Sequence, residues 1–73
     1  PSSCRLINVH RNVPGVLGEI NGIFSRAGAN IRAQYLSTDP HIGYVVIDIE
    51  LAEPQTVFDQ ISRLSTSIKT VLI

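Results

Sequence analysis

The sequence predicts an α+β sandwich in the order β-α-β-β-α-β, with four antiparallel strands and two helices on one sheet face. Three observations carry this. Two stretches place apolar residues at helical spacing, and stretches rich in strand formers lie around them. One of those, Tyr44 to Leu51, puts Val45, Ile47, Ile49 and Leu51 on one face and Tyr44, Val46, Asp48 and Glu50 on the other. Gly and Pro fall at the joins, where the chain must change direction.

Cys4 to His10 (CRLINVH) reads as the first strand. Arg11 to Pro14 breaks it, because Pro14 lacks an N–H and fixes φ. Asn12, a good capping type, sits just before the first helix. Val16, Leu17, Ile20, Ile23, Phe24 and Ala27 keep helical spacing, so Gly15 to Ala27 is an amphipathic helix, closed by Gly28. Gly18 and Gly22 lie four apart on one face, either to admit another backbone or simply because the face is exposed. Asn30 to Thr38 reads as a half-buried strand, with Ile31, Ala33 and Tyr35 alternating against Arg32 and Gln34. Asp39 to Gly43 is a turn cluster. Tyr44 to Leu51 completes a hairpin, with Val45, Ile47, Ile49 and Leu51 on its apolar face. Pro54 sits near a first helical position, and Val57, Phe58, Ile61 and Leu64 mark the second helix. Ser65 to Ser67 breaks it, and Ile68 to Ile73 is the last strand. This is the split βαβ, ferredoxin-like arrangement, with expected strand order 4-1-3-2. Helices cover one sheet face only, so solvent or a partner must meet the other.

Composition narrows the function. A chain of 73 residues is one domain, and such a chain buries only about 60% of its unfolded surface, so oligomeric burial would help it. Six basic residues balance six acidic ones, which offers no field for nucleic acid or anionic lipid. No apolar run approaches the roughly 20 residues that span a bilayer. Cys4 is the one cysteine, which forbids an internal disulfide and favours a cytoplasmic setting. The chain begins at Pro1 and holds no Met, so the expectation is a segment of a longer protein. RNA-binding members of this fold need exposed aromatics on the central strands, and only Tyr44, at a strand end, is present there. Metal carriers need paired cysteines, and acylphosphatase-like enzymes need a glycine-rich anion cradle beside an arginine such as Arg11. Both patterns are missing, so no catalytic residue and no metal ligand is assigned. Asp48 and Glu50 are expected to face solvent or basic neighbours, His41 to be an exposed turn residue, and Cys4 to pack as a small apolar group.

What remains is the segment His10-Arg11-Asn12-Val13-Pro14-Gly15-Val16-Leu17. It sets polar groups beside a helix N-terminus, whose unpaired N–H groups and partial positive charge suit a carboxylate. Pro14 and Gly15 stiffen the turn and let a ligand approach the backbone. Asn12 adds an amide that can donate and accept, and His10 adds a ring at the strand end. The set suits a small zwitterion.

Four pieces, His-x-Asn-x-Pro-Gly-Val-Leu (His10 to Leu17), Gly-x-Asn-Ile (Gly28 to Ile31), Ala-Gln-Tyr-Leu (Ala33 to Leu36) and Gly-Tyr-Val-Val-Ile-Asp (Gly43 to Asp48), together resemble the C-terminal ACT domains of D-3-phosphoglycerate dehydrogenases. The resemblance runs from Arg5 to Ile73. It implies a regulatory domain, residues 1–73, of a longer NAD-dependent enzyme that opens serine biosynthesis, with NAD bound outside this segment. It implies L-serine held between two side-by-side copies whose sheets join into one of eight strands. His10, Asn12 and the backbone of Pro14, Gly15, Val16 and Leu17 would come from one copy and Asn30 from the other. Some members carry Arg in place of Val13 and an acidic residue in place of Arg11. Two other readings stay open: an ACT domain that only holds subunits together, and one that senses a different amino acid.

Overall fold

The computed structural model describes residues 2–73. The elements are β1 (Ser2–Arg11), α1 (Val16–Arg26), β2 (Asn30–Thr38), β3 (Ile42–Leu51), α2 (Pro54–Ser62) and β4 (Ser67–Leu72). The strands form one antiparallel sheet in the order β2-β3-β1-β4, which is the expected 4-1-3-2 read from the other edge. β1 starts two residues before the expected strand, and α2 stops at Ser62 rather than near Leu64.

Period-two alternation along β3 sends Val45, Ile47, Ile49 and Leu51 inward, all buried. They meet Leu6 of β1, Val16, Ile20, Ile23 and Phe24 of α1, and Val57 and Ile61 of α2 in one continuous core. Cys4 packs at its margin, and burial pushes its thiol pKa up. Gly28 takes a left-handed conformation (φ 71°) just past the C-cap of α1, as its place in the sequence predicts. Pro54 opens α2 at its first turn. Between β2 and β3, Asp39 closes the turn by accepting the His41 and Ile42 amides on Oδ1, both at 2.7 Å, which holds its carboxyl below the usual range.

β2 departs from expectation twice. It is exposed along its whole length, because it is an edge strand that neither helix covers. Its alternation also fails: the ladder with β3 shifts between Ile31 and Ala33, leaving Arg32 as an extra residue. Ile31, Gln34 and Leu36 therefore share the helix-side face, opposite Ile49, Ile47 and Val45, while Ala33 and Tyr35 go to the open face. Gln34 ties the strand to α1 by donating to Asn21 Oδ1 at 2.8 Å.

On the open face, Tyr35, Val46, Ile7 and Val71 form one apolar row across all four strands. The neighbouring row carries a two-bond ion pair, Arg5 to Asp48 at 2.7 and 3.0 Å, and Arg32 meets Glu50 at 2.9 Å. Asp48 and Glu50 thus have basic neighbours, as expected; Arg5 holds the Asp48 carboxyl below its ordinary pKa, and the Asn30 amide together with Arg32 does the same for Glu50.

Candidate functional site

The loop between β1 and α1 carries most of the expected site. Arg11 to Gly15 are all exposed. Gly15, not Asn12, occupies the N-cap position of α1, in the left-handed region at φ 91° and with no side chain capping the helix. The first amides of α1, from Val16 onward, therefore receive no capping side chain. A Cβ built on Gly15 would meet nothing within 4 Å, so the approach to this helix end is open. Val16 and Leu17 send their side chains toward the core, so only their backbone belongs to the entrance.

The capping expectation for Asn12 is corrected: its side chain turns to the β2–β3 loop. The Asn12 amide group donates to the Asp39 carbonyl at 2.8 Å, and its backbone N–H donates to the His41 carbonyl at 2.9 Å. One proton of the amide nitrogen is used on the loop, and the side-chain oxygen accepts nothing from the described residues. His41 is exposed, as predicted, and its part is played by the backbone.

His10 is not a ring standing free at a strand end. It faces the helices, in phase with Leu6 and Asn8, and is 3% exposed. Its Nδ1 lies 3.0 Å from Asn8 Oδ1. The ring lies over Gly43, its partner in β3, where a Cβ would fall on Nε2 and within 2.9 Å of both adjoining ring carbons. Nε2 has no hydrogen-bond partner among the described residues. Burial pushes the imidazole below its ordinary pKa, so it is neutral at neutral pH.

Asn8 is the residue that sequence reasoning passed over. It is fully buried and donates to Ser67 Oγ at 3.1 Å and Thr70 Oγ1 at 2.9 Å. The signal was present: Leu6, Asn8 and His10 are two apart, so an inward Leu6 puts an amide and an imidazole in the core.

Asn30 sits elsewhere. It pairs with Glu50 at the far end of the sheet and donates to Glu50 Oε1 at 3.2 Å. His10 pairs with Gly43, so the two lie about seven residues apart along β3, or roughly 23 Å at strand rise. One chain does not bring them together. A hollow lined by Ala27, Leu51, Ala52, Glu53 and Thr56 is also at the end of β3 away from Gly43, and touches none of the candidate residues. Gly18 faces open space, and Gly22 meets only the tip of Arg26, so no backbone of this chain uses that face of α1.

The buried imidazole sets a pH dependence. The folded state resists protonating His10, while the unfolded chain takes the proton at about 6.5. Below that value the unfolded state binds more protons, so stability falls with pH and levels off beneath the lowered folded pKa. The Asp39, Asp48 and Glu50 carboxyls have the opposite charge logic: their stabilisation is present above about pH 4 and is lost as pH falls through their depressed values. Melting curves should therefore show two separate declines, one beginning near pH 6.5 and one below about pH 4. A melting temperature constant from pH 7 to 5 would contradict the first.

A profile of AHAS small subunit-like ACT domains matches residues 6–69. D-3-phosphoglycerate dehydrogenase of Dictyostelium discoideum is 44% identical over 70 residues, 96% of this chain and 17% of that one. The Haemophilus influenzae enzyme of the same name is 43% identical over 65 residues, 89% of this chain and 16% of that one. For the enzyme of Escherichia coli K12 the identity is 57% over 49 residues, 67% and 12% of the two chains. The chain thus spans 12% to 17% of the length of these relatives. The ACT domain from GTP pyrophosphokinase of Chlorobium tepidum has the same fold, with TM-score 0.84 over 97% of this chain and 96% of that one at 18% identity. A formyltetrahydrofolate deformylase from Pseudomonas putida KT2440 also gives TM-score 0.84, over 99% of this chain and 28% of that one at 6% identity. The chain belongs to the family of AHAS small subunit-like ACT domains.

Proposed function

We propose that this domain is the amino-acid-sensing and pairing module of a D-3-phosphoglycerate dehydrogenase, and that L-serine is its ligand. The parent would carry the NAD site and the catalytic residues in other domains, and the bound amino acid would bias it between active and inhibited arrangements. The observation that carries the reading is the uncapped, unobstructed N-terminus of α1, edged by the free oxygen of Asn12. A carboxylate fits the helix amides, and an ammonium or hydroxyl fits an acceptor oxygen.

A second copy completes the site. β2 is a nine-residue edge strand, exposed throughout, with Ile31, Tyr35 and Leu36 uncovered. Such an edge is a template for pairing. If two copies of β2 run antiparallel, the Asn30 end of one lies against the Thr38 end of the other. Thr38 is in the same cross-strand row as Gly43 and His10. This arrangement brings Asn30, distant within one chain, to the same end of the joined sheet as the other copy's His10. The exposed glycine face of α1 leaves room for that copy.

Magnitudes agree. A ligand of serine's size has a ceiling near 10 kcal/mol at about 1.5 kcal/mol per heavy atom. Micromolar affinity needs about 8 kcal/mol, so the ligand must be nearly enclosed, which a two-copy site provides.

Calorimetry and a thermal-shift screen of the amino acids test this. L-serine at a hundred times its dissociation constant adds about 2.7 kcal/mol. The melting temperature should then rise by about 10 °C or more. Asn12→Ala is the cleaner site variant, because Asn12 is exposed whereas His10 is part of the core. Losing one hydrogen bond should weaken serine about tenfold. Unchanged affinity in both Asn12→Ala and His10→Ala removes the site assignment. Stabilisation by another amino acid in preference to serine points to a different parent, and by none of them to a pairing role alone.

A further inference from the structure

The buried polar chain behind His10 has a direction that can be read from proton counting. Ser67 Oγ donates to the Ile61 carbonyl at 2.6 Å. A serine hydroxyl has one proton, so toward Asn8 the same oxygen can only accept. The Asn8 nitrogen must therefore face Ser67, and it reaches Thr70 Oγ1 as well. That fixes the amide's other end: Oδ1, which can only accept, faces His10 Nδ1 at 3.0 Å. Nδ1 must then carry a proton. In a neutral imidazole this leaves Nε2 bare, with a lone pair and no hydrogen. Nε2 is the ring nitrogen without a partner among the described residues.

We propose that Asn8 is a positioning residue: anchored through Ser67 to the Ile61 carbonyl, it holds neutral His10 in the Nδ1–H form, so that Nε2 meets a ligand only as an acceptor and selects one that offers a hydroxyl or ammonium donor there. This rests on the reading of His10 as part of an amino-acid site. The tautomer itself does not depend on that reading. A free carboxylate oxygen or a methyl group at this point gains nothing from Nε2, which is a physical basis for preferring a ligand whose side chain or amine can donate. The arrangement is also rigid: Gly43 beneath the ring and the core on its flank leave little room to rotate it.

Nitrogen-15 spectra of the imidazole rings test the tautomer directly, on the 73-residue chain without ligand. The chain has two histidines, so His41→Gln assigns the remaining ring. The expected result is a protonated-type resonance at Nδ1 and a bare-type resonance at Nε2. The reverse pattern overturns the proposal. Ser67→Ala frees the amide to flip and should move His10 toward a mixture containing the Nε2–H form that solvated imidazole favours. Asn8→Asp puts a carboxylate at Nδ1, which should keep a proton there and raise the imidazole pKa above the wild-type value, a titration change that a merely structural role would not produce. A wild-type tautomer in Ser67→Ala would show that Ser67 orients nothing. L-serine added to the wild-type chain should shift Nε2 and leave Nδ1 nearly fixed. If serine binds by calorimetry and Nε2 does not move, the selecting role is overturned while the tautomer stands. If serine does not bind at all, the reading of the loop fails and the ligand-free spectra still decide the tautomer.

Discussion

Replacing Gly43 with Ala is expected to expel the His10 ring and cost about 2–6 kcal/mol, far more than one methyl group on an ordinary strand. The added Cβ would land on Nε2 and within 2.9 Å of the carbons on either side of it. A flexible side chain could swing away from such a contact, but this ring is tied at Nδ1 to Asn8 and is 3% exposed. Two costs add. Overpacking a filled space typically costs 1–3 kcal/mol. If the ring leaves, the buried Asn8 Oδ1 loses its donor, and an orphaned buried acceptor costs a further 1–3 kcal/mol. For a domain of this size each kcal/mol moves the melting point by about 4–8 °C, so the variant should melt about 8 °C lower or more. The same variant should bind serine poorly even where it is still folded, because the acceptor nitrogen has moved. A melting point within about 3 °C of the parent would mean that the ring tolerates displacement, and that its present seat is not under constraint.

Much of this architecture is legible from the chain alone. The strict alternation of Val45, Ile47, Ile49 and Leu51 and the helical spacing of Ile20, Ile23 and Phe24 each announce one buried face, and burial of those faces is what the fold achieves. The edge strand was less readable. A one-residue bulge at Arg32 reverses the side-chain phase, so counting by twos from Ile31 assigns Ala33 and Tyr35 to the wrong face. Nothing in NIRAQYLST marks a bulge, because the misfit is a property of two strands and only one was being counted.

The site was legible in part. Pro14 and Gly15 before an apolar helix mark the loop, and Gly15 takes the left-handed conformation that glycine tolerates at little cost. Which residue caps the helix could not be read, because Asn12 has two hydrogen-bonding choices. The one it takes, the Asp39 carbonyl, comes from a loop 27 residues away in sequence. The orientation of His10 follows from the same kind of long-range contact. Its partner Asn8 is near in sequence, but the groups that fix Asn8 itself, Ser67 and Thr70, lie on β4.

Phe24→Ala should remove a large share of the stability of an isolated copy. Phe24 is the largest fully buried side chain, and it belongs to the cluster that binds α1 to the sheet and to α2. Truncating a buried Phe to Ala costs about 3–5 kcal/mol, as lost transfer energy plus the cavity left behind. At 0.05–0.15 kcal/mol per residue, 73 residues hold about 4–11 kcal/mol in all. The change therefore takes about a quarter or more of the total, and at the low end of that total it unfolds the chain. The consequence reaches the site without touching it. The helix N-terminus is useful only while α1 is held at the mouth of the β1 loop, and Phe24, two turns further along, is one of the side chains that hold it there. Ligand and mutation should then oppose each other by mass action: serine binds only the folded form, so saturating serine should recover part of the lost melting temperature without changing the cavity. Urea unfolding with and without serine measures both effects on one scale. A midpoint in Phe24→Ala close to that of the parent would show that α1 is anchored by other contacts, and would leave the open helix end independent of this part of the core.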